Sequence, residues 1–373
     1  MKILCSSDMP YAKEAFSTLG DTLLKKGRSI NANDVHDASI LAIRSTTRVD
    51  EALLAGSAVG FVGTATIGND HMDIPYLERA GIKWVHSPGC NANSVSEYVA
   101  SALLFIASRH GFRLEGKTIG VIGVGNVGNL VVQKAGSLGM RVLKNDPPRS
   151  RGQERQTTDD GRRTTEIGLF RSDSTPTLHH AITTDPECFV GLDELLAESD
   201  IVTLHVPLNK RGPDATWHLA GNDFFRKMKP GCVFINSARG AVVETDALLE
   251  AMEKGKVSHA VIDTWEGEPA LRQDLLERVD LGTPHIAGYS FDGKVTGTAM
   301  VYRAACAFLG VKPEWVPDKL LPAPEIPEIR VSAAGRAEED VLWEIVHRIY
   351  DITADDRRLR AGPRDDRMAA YFD

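Results

Sequence analysis

The fold of this chain is indicated most directly by one stretch, Thr118-Ile119-Gly120-Val121-Ile122-Gly123-Val124-Gly125-Asn126-Val127-Gly128. Its first five residues have the length and apolar character of a buried strand, and the glycine pattern after them leads directly into a helical stretch. Such glycines let the backbone approach a pyrophosphate, which is held at the positive N-terminus of the helix. A second strand, Arg141-Val142-Leu143, leads to Asp146, whose carboxylate can accept hydrogen bonds from ribose hydroxyls. The predicted dinucleotide site therefore comprises Gly123, Gly125, Asn126, Val127, Gly128 and Asp146.

The acid at the end of the second strand also bears on which dinucleotide is bound. A carboxylate at Asp146 repels the 2′-phosphate that distinguishes NADP from NAD, so the sequence favours NAD as the cofactor. Arg149 and Arg151 follow closely and would weaken this preference by attracting the same phosphate. A tight structural turn is the alternative to a dinucleotide loop, but the preceding strand and the following helix favour the loop.

Short apolar runs alternate with helical stretches on both sides of this motif, which is typical of parallel α/β sheets. The further predicted strands are Lys2-Ile3-Leu4, Leu41-Ala42-Ile43, Gly60-Phe61-Val62-Gly63, Ile82-Lys83-Trp84-Val85, Ile201 to Leu204, Val233 to Asn236, and Ala260 to Asp263. We therefore predict an α/β protein with two Rossmann-like, doubly wound parallel-sheet domains and a small C-terminal region.

The predicted domain bounds follow from where this alternation changes. Residues 1–93 are assigned to a substrate domain that is completed by about residues 289–310, and residues 94–288 to the dinucleotide-binding domain. The boundary is placed at Ser94-Val95-Ser96-Glu97, which is interpreted as a capping box opening a helix to about Arg109.

Two segments depart from the α/β pattern. Residues 150–187 are rich in polar and charged residues, which predicts a mobile surface insertion in the second domain. Residues 311–373 begin with a proline-rich linker and continue with an amphipathic helix predicted over Glu338 to Tyr350. One short element cannot form a core alone, so we expect this region to pack on the body of the protein or on another subunit. The helix Thr245 to Lys254 is predicted to be capped by Thr245.

Composition and charge exclude several classes of function. The 373 residues carry a formal net charge of −8 without a long basic stripe, which argues against nucleic acid as a partner. No apolar run approaches the ~18–20 residues that a membrane-spanning helix needs. The start, Met1 to Asp8, meets an acid too early for a secretory signal. The five cysteines are scattered and lack a C-x-x-C pair, so we expect reduced thiols in a cytoplasmic protein.

Three residues in the second half of the chain form the candidate catalytic set: Arg239, Glu268 and His285. Each follows an apolar run that predicts a strand of the same parallel sheet, and the carboxyl ends of such strands meet at one edge. A guanidinium can hold a carboxylate with two hydrogen bonds, an imidazole can take a hydroxyl proton, and a carboxylate can stabilise the imidazolium. Each residue alone has an ordinary interpretation, as a surface arginine, a loop acid or a core histidine. Together they favour oxidation of a 2-hydroxy acid by hydride transfer.

Other motifs leave alternatives open. Arg44-Ser45 and Thr64-Ala65-Thr66 follow strands of the first domain and suit a phosphate or a carboxylate, but ordinary turn capping explains them equally well. His71, in Asp70-His71-Met72-Asp73, is interpreted as part of a turn rather than as a metal ligand. The sequence has no H-E-x-x-H or comparable zinc spacing and no G-x-S-x-G elbow, so no metal and no serine nucleophile are expected.

Taken together, these motifs resemble the D-isomer-specific 2-hydroxyacid dehydrogenases over roughly residues 1–149 and 188–373. The stretches that carry the resemblance are Asp8-Met9-Pro10-Tyr11, Arg44-Ser45, Phe61 to Thr66, Pro88-Gly89-Cys90-Asn91-Ala92, Gly123 to Gly128, Asp146 to Arg149, Asn236 to Ala241, Trp265 to Pro269, and Gly282 to Tyr289. The narrower ones, Pro88 to Ala92 and His285 to Tyr289, are similar to a branch that acts on 4-phospho-D-erythronate in vitamin B6 biosynthesis.

The resemblance implies NAD-dependent oxidation of a small phosphorylated 2-hydroxy acid by a homodimer with a C-terminal dimerisation domain. It implies catalytic roles for Arg239, Glu268 and His285, with the histidine transferring the proton. It implies NAD contacts for Asp146, Asp263 and Gly288 and for the backbone at Val206, where relatives often have threonine. Substrate contacts are implied for Ser45, Thr66 and Tyr289, and Arg44 is a candidate for the substrate phosphate.

Two departures from the resemblance bear on function. About thirty residues of the segment 150–187 look extra, and they follow the strand that positions Asp146. The chain stops at Tyr371-Phe372-Asp373, before relatives do, which implies a shortened dimerisation region. Two rival functions remain: a dehydrogenase of another 2-hydroxy acid, such as 3-phosphoglycerate or glycerate, and a non-catalytic NAD-sensing binding protein.

Overall fold

The structure is a computed structural model that describes residues 1–152, 189–317 and 322–363. The predicted insertion at 150–187 therefore lies almost entirely outside the described residues. The chain divides into two compact units, the first formed by residues 1–105 with 285–354 and the second by residues 106–284 with 355–373.

The strands form two all-parallel sheets within the described ranges. In the first unit the order is β2-β1-β3-β4-β5, and in the second it is β11-β10-β9-β8-β6-β7. The strands are β1 (Lys2–Ser6), β2 (Asp21–Lys25), β3 (Ile40–Ile43), β4 (Phe61–Thr64), β5 (Lys83–Val85), β6 (Thr118–Ile122), β7 (Arg141–Asn145), β8 (Ile201–Leu204), β9 (Cys232–Asn236), β10 (Val257–Ile262) and β11 (Leu281–Gly282). The predicted architecture of two doubly wound parallel sheets is confirmed.

Helices α1 to α11 lie between successive strands along the chain, and α12 to α14 follow the last strand. They are α1 (Ala12–Phe16), α2 (Ala32–Val35), α3 (Glu51–Leu54), α4 (Ile74–Arg79), α5 (Ala92–His110), α6 (Asn126–Ser137), α7 (Pro147–Ser150), α8 (Leu192–Glu198), α9 (Asn222–Lys227), α10 (Thr245–Glu253), α11 (Gln273–Arg278), α12 (Phe291–Leu309), α13 (Glu338–Ile349) and α14 (Ile352–Ala361). None of these helices combines the length and the apolar character that crossing a membrane requires, as judged over the described part of the chain.

Both sheets are covered on their two faces, which explains why their strands have nearly continuous apolar sequences. In the first unit, Ile3 of β1 packs with Phe16 of α1 and Tyr302 of α12 on one face. Leu4 of β1 packs with Leu77 of α4 on the other. Burying such side chains stabilises a fold by about 1.5–3 kcal/mol each, so the sequence specifies these strands strongly.

The edge strand β2 was not predicted, because its apolar residues are not buried. β2 lies at the edge of its sheet and pairs with β1 alone among the described strands. Its Leu23 and Leu24 are 43% and 46% exposed, whereas the polar Thr22 is buried. A pattern of this kind does not distinguish a strand from a loop.

The predicted capping box at Ser94 to Glu97 is wrong, because α5 begins at Ala92 and Ser94 lies inside it. The Ser94 hydroxyl instead lies 2.5 Å from the Ser290 hydroxyl, and the Asn91 amide donates to the Gly288 carbonyl oxygen at 3.0 Å. These contacts join the start of α5 to the first unit, so the predicted division at 93/94 does not coincide with the observed units.

The cap predicted for the helix at residues 245–254 is also wrong. Thr245 is the first residue of α10 rather than its cap, and Glu244 precedes the helix without a capping side chain. The Thr245 N–H donates instead to Glu266 Oε2 at 3.0 Å. A carboxylate from a distant loop thus satisfies this end of the helix, which no local pattern could indicate.

The described part of the C-terminal region contains two helices. The predicted amphipathic helix is confirmed as α13, whose Trp343 ring packs 6.0 Å from the Phe105 ring in the first unit. The second helix, α14, was not predicted. Its Leu359 is buried in the core of the second unit, and Asp356 accepts a hydrogen bond from the Gly282 N–H at 2.7 Å.

Candidate active site

The carboxyl ends of the second sheet carry most of the candidate residues. Since β9 and β10 are adjacent and parallel, the segments that follow them leave the sheet at the same edge. Arg239 comes three residues after β9, and Asp263 directly follows β10, with Glu268 in the same loop. His285 comes three residues after β11, but it belongs to the first unit.

The dinucleotide loop after β6 has no room for side chains at two glycines. Gly123 has a φ of +86°, and a Cβ placed there would lie 2.7 Å from the His205 carbonyl carbon. A Cβ on Gly128 would overlap the Gly123 carbonyl oxygen. The loop is therefore held against the end of β8 and the first turn of α6. With Gly125 at the cap and Asn126 as the first helical residue, this backbone fits the pyrophosphate of a dinucleotide.

Asp146 directly follows β7 and is 2% exposed. Its carboxylate accepts hydrogen bonds from the Val124 N–H at 2.8 Å and from the Arg149 N–H at 3.3 Å, so it joins the glycine loop to α7. Each carboxylate oxygen can accept a second hydrogen bond, which leaves capacity for a ribose hydroxyl. Arg151 pairs with Asp214 at 2.6 Å. This pairing weakens the argument that Arg151 attracts a 2′-phosphate, and the site fits NAD.

The Arg239 and Glu268 loops are joined by one buried amide. The side chain of Asn236 donates to the carbonyl oxygens of Arg239 (3.3 Å) and Thr264 (3.2 Å), and it accepts from the Ala238 N–H at 3.1 Å. Asn236 is 1% exposed. The two loops also touch at Gly240, where a Cβ would overlap the Trp265 carbonyl group. The structure thus brings the loops of Arg239 and Glu268 together.

Glu268 and its neighbour Glu266 have distinct partners. The Glu268 carboxylate accepts the Trp265 N–H at 2.9 Å, which closes a tight turn. Glu266 lies 2.5 Å from the His218 imidazole and also accepts the Thr245 N–H. Burial acts to raise the pKa of Glu266, but the hydrogen bonds from Thr245 and His218 outweigh it and lower the pKa.

Asp263 is almost fully buried beside β11. Its Oδ1 accepts the Thr283 hydroxyl at 2.6 Å, and the Trp265 indole N–H donates to the Thr283 carbonyl oxygen at 2.8 Å. These bonds connect the ends of β10 and β11. A buried carboxylate at this edge suits the role expected for Asp263 beside a nicotinamide.

Three buried polar atoms at this edge have no hydrogen-bond partner among the residues that the structure describes. They are His205 Nδ1, Ser237 Oγ and Thr264 Oγ1. They follow β8, β9 and β10, which are neighbours in the sheet. Burial lowers the pKa of His205 to about 3, so its ring is neutral at neutral pH. Unsatisfied buried groups are costly, and a polar ligand at this edge would satisfy them.

The first unit carries the residues expected to contact substrate. Arg44 follows β3, is half-buried, and donates to the Ala65 carbonyl oxygen at 3.4 Å. Burial lowers its pKa, while the nearby Cys90, Tyr289 and Asp8 act to raise it. Arg44 and Tyr289 therefore share one neighbourhood, as the predicted substrate role requires.

Thr66 and His71 belong to a hydrogen-bonded group after β4. The Thr66 hydroxyl lies 2.8 Å from that of Thr64, which in turn lies 3.0 Å from His71 Nε2. Burial lowers the pKa of His71 to about 4. This supports the interpretation of His71 as a structural turn residue. Ser45 is exposed beside Arg44.

His285, Gly288 and Tyr289 lie in one turn of the first unit. His285 is exposed and has a φ of 55°, a left-handed conformation that costs roughly 1–2 kcal/mol for a residue with a Cβ. The Tyr289 N–H donates to the Ile286 carbonyl oxygen at 2.8 Å, and Lys294 Nζ lies 3.3 Å from the centre of the Tyr289 ring. A conformation of this kind is often retained for function.

Sequence reasoning missed two residues that position this site, Asn236 and Asn91. Asn91 holds the turn through the Gly288 carbonyl oxygen, and its own Oδ1 is buried without a partner within the described ranges. Both residues are asparagines at the end of a strand or the start of a helix. An asparagine at the end of an apolar strand or the start of a helix is a usable signal for a positioning residue, because buried amides usually form hydrogen bonds to other segments.

Comparisons with known proteins identify the family of the chain. The family model for the NAD-binding domain of D-isomer-specific 2-hydroxyacid dehydrogenases matches residues 99–174 and 168–287. The chain is 45% identical over 361 residues to an erythronate-4-phosphate dehydrogenase of Klebsiella pneumoniae, covering 96% of this chain and 86% of that protein.

Solved structures share the fold. A D-lactate dehydrogenase of Aquifex aeolicus, solved with NAD and lactic acid, matches with a TM-score of 0.60 and 26% identity over 83% of this chain and 95% of its own. The TT0316 protein of Thermus thermophilus matches with a TM-score of 0.63 and 22% identity, covering 84% of this chain and 99% of that one. The second likeness concerns the fold alone.

Proposed function

The chain belongs to the D-isomer-specific 2-hydroxyacid dehydrogenases, and among them to the erythronate-4-phosphate dehydrogenases; from this membership we propose that it oxidises 4-phospho-D-erythronate to 2-oxo-3-hydroxy-4-phosphobutanoate with NAD, in vitamin B6 biosynthesis. The observation that carries the proposal most strongly is the pairing of the Arg239 and Glu268 loops through the Asn236 amide. It holds the two charged groups that the reaction needs on neighbouring segments.

In the proposed mechanism, Arg239 binds the substrate. Its planar guanidinium pairs with the carboxylate and the C2 oxygen and so fixes the orientation of C2. A bound NAD would supply the hydride acceptor for C2. Gly123, Gly125, Asn126, Val127 and Gly128 would hold its pyrophosphate, Asp146 its ribose and Asp263 its nicotinamide side, with Gly288 and the backbone at Val206 as further contacts.

His285 is assigned the proton transfer. Its imidazole takes the proton of the C2 hydroxyl as the C–H bond breaks, so hydride and proton leave together and a 2-oxo group forms. Glu268 is assigned to stabilise the resulting imidazolium, since a nearby carboxylate favours the charged form of a histidine.

The substrate phosphate is assigned to the first unit. Arg44 supplies a cation there, with Ser45, Thr66 and Tyr289 as further contacts. The neighbourhood that Arg44 shares with Tyr289 supports this assignment. Arg44 would distinguish a phosphorylated acid from lactate, which has no group to meet it.

A cytoplasmic homodimer is also proposed. The apolar stripe of α13 supports it, because the helix has no buried residue and its Ile349 is 66% exposed. Light scattering on the purified protein would test the dimer, and a monomer at micromolar concentration would contradict it.

The first experiment is to measure NADH formation by the purified protein with NAD and 4-phospho-D-erythronate, with 3-phosphoglycerate in parallel. A carbonyl trap should draw the unfavourable equilibrium forward. We expect turnover with 4-phospho-D-erythronate alone. Turnover with 3-phosphoglycerate instead would keep the mechanism and overturn the substrate assignment. NAD binding without turnover on either acid would favour a non-catalytic NAD-sensing protein.

A further inference from the structure

A second cluster of side chains in the second unit takes no part in the proposed reaction. It consists of His110, the last residue of α5, His259 in β10, and Asp280 directly before β11. His110 Nε2 lies 2.8 Å from Asp280 Oδ1, and His259 Nδ1 lies 3.3 Å from the same oxygen. The two imidazole rings stack with centroids 3.5 Å apart.

We propose that His110, His259 and Asp280 bind a divalent transition-metal ion of the zinc type. Two imidazole nitrogens and a carboxylate oxygen are donors that zinc, cobalt, nickel and copper ions prefer, whereas magnesium and calcium ions prefer oxygen alone. A tetrahedral zinc ion with bonds of ~2.0–2.1 Å needs ligand atoms roughly 3.3 Å apart. Both contacts to Asp280 are close to that spacing, and one atom of each side chain lies within 4.8 Å of the others. The two rings are stacked, so binding an ion requires both imidazoles to turn until a nitrogen of each faces an ion held by Asp280 Oδ1.

The carboxylate of the cluster is oriented by the backbone. Asp280 Oδ2 accepts the Ala260 N–H at 3.1 Å, and the Asp280 N–H donates to the Ala260 carbonyl oxygen at 3.0 Å. Oδ1 is thereby directed at the two imidazoles. Such outer hydrogen bonds orient metal ligands and increase affinity, because less order is lost on binding.

The electrostatic setting also suits a metal. His110 ends α5, where the helix dipole favours a cation. The side chains of His110, His259 and Asp280 are 25%, 23% and 13% exposed, so an ion can reach them from solvent.

The proposed ion is structural rather than reactive. His259 precedes Asp263 by four residues, which is about 13 Å along an extended strand. The cluster therefore lies towards the amino end of the sheet, away from the Arg239 and Glu268 loops. An ion there would connect the end of α5 to β10 and to the start of β11.

The test is a calorimetric titration of the full-length protein with zinc chloride after treatment with EDTA, with magnesium chloride as the comparison ion. We expect one zinc ion per chain at micromolar affinity and no heat from magnesium. His110→Ala and His259→Ala should each weaken zinc binding by at least about tenfold. The control His36→Ala removes an exposed imidazole from the first unit and should leave affinity unchanged.

Cobalt provides an independent readout. Cobalt bound at this cluster should give visible absorption bands that are typical of a low coordination number. These bands should be absent in both the His110→Ala and the His259→Ala variants. A thermal unfolding transition of each metal-free variant shows that it is folded. Asp280 is not substituted, because it also joins two strands. Full zinc affinity in either cluster variant, or no zinc binding by the wild-type protein up to millimolar concentration, would overturn the proposal.

Discussion

The two ends of the six-stranded sheet differ in whether their polar groups have hydrogen-bond partners. At the amino end, Asp200 accepts the Thr118 N–H and pairs with Lys229, both at 2.9 Å. At the carboxyl end, polar atoms of His205, Ser237 and Thr264 are buried without partners in the part of the chain that the structure describes. Since an unpaired buried group costs about 1–3 kcal/mol, the paired groups at the amino end contribute to stability, whereas the unpaired groups at the carboxyl end lower it.

Histidines at the two ends illustrate the same difference. Burial lowers the pKa of His205 to about 3, with no carboxylate acting against it. Burial also lowers the pKa of His259, but Asp280 opposes the shift. At the amino end a carboxylate therefore favours the charged form of the imidazole, while the carboxyl end disfavours a positive charge at His205.

The largest expected effect on kcat/KM comes from substituting Arg239, the charged group at the carboxyl end of the sheet. Arg239→Lys keeps the charge but loses the planar fork, so kcat/KM for NADH formation should fall well over tenfold. Thermal unfolding should change little. The matched control is Arg226→Lys on α9, where the arginine is 74% exposed, and it should keep wild-type turnover. Wild-type kcat/KM in Arg239→Lys would contradict the clamp.

A pair of variants compares the two ends directly. Asn236→Ala removes the amide that joins the Arg239 and Glu268 loops, so we expect kcat/KM to fall about tenfold and the free energy of unfolding to fall by about 1–3 kcal/mol. Asp200→Ala removes an acceptor at the amino end and should lower the free energy of unfolding by about 1–2 kcal/mol, with kcat/KM within about twofold of wild type.

Kinetics and urea unfolding on both variants separate the two roles. If Asp200→Ala lost as much kcat/KM as Asn236→Ala at equal stability, the ends would not differ in function. If Asn236→Ala lost stability alone, the amide would be a structural residue and not one that positions the catalytic loops.

The remaining expected effect concerns stability alone, through its dependence on pH. The pKa of His205 is about 3 in the folded protein and about 6.5 when unfolded. Below pH 6.5 the unfolded chain binds a proton that the folded protein excludes. Stability is therefore present above that pH and falls by up to about 1.4 kcal/mol for each unit below it.

His205 Nε2 lies 2.9 Å from the Thr203 hydroxyl. His205→Gln keeps a polar partner for Thr203 but cannot titrate, so its loss of melting temperature between about pH 7 and about pH 5 should be smaller than that of wild type. Equal losses in both proteins would show that His205 remains protonated on folding.

Much of the fold was predictable because burial on both faces of a sheet leaves a continuous apolar sequence. β6 and β8 were predicted at their observed bounds, and the glycine loop after β6 lies where its spacing indicated. The family resemblance is confirmed by the comparisons. The edge strand β2 and the helix α14 were missed, since one exposes its leucines and the other is mostly charged.

The residue types of the candidate site could be predicted from the sequence, but the contacts that position them could not. Arg239, Glu268 and His285 were proposed because each follows an apolar run, and their catalytic roles remain predictions. The residues that hold them in place, Asn236 and Asn91, are single amides whose partners lie in other segments. The grouping of His110, His259 and Asp280 was not predicted either, since His110 is 149 and 170 positions from its two partners.

The sequence by itself determined the two parallel sheets, the dinucleotide loop and the types of residue at the strand ends. These depend on the order of apolar and glycine residues along the chain, and local order is what burial and backbone sterics act on. Only the tertiary structure decided which carboxylate caps α10, which amide joins the Arg239 and Glu268 loops, and which two histidines share Asp280. Each of these contacts joins residues far apart in the chain, so its free energy depends on packing that no local pattern records.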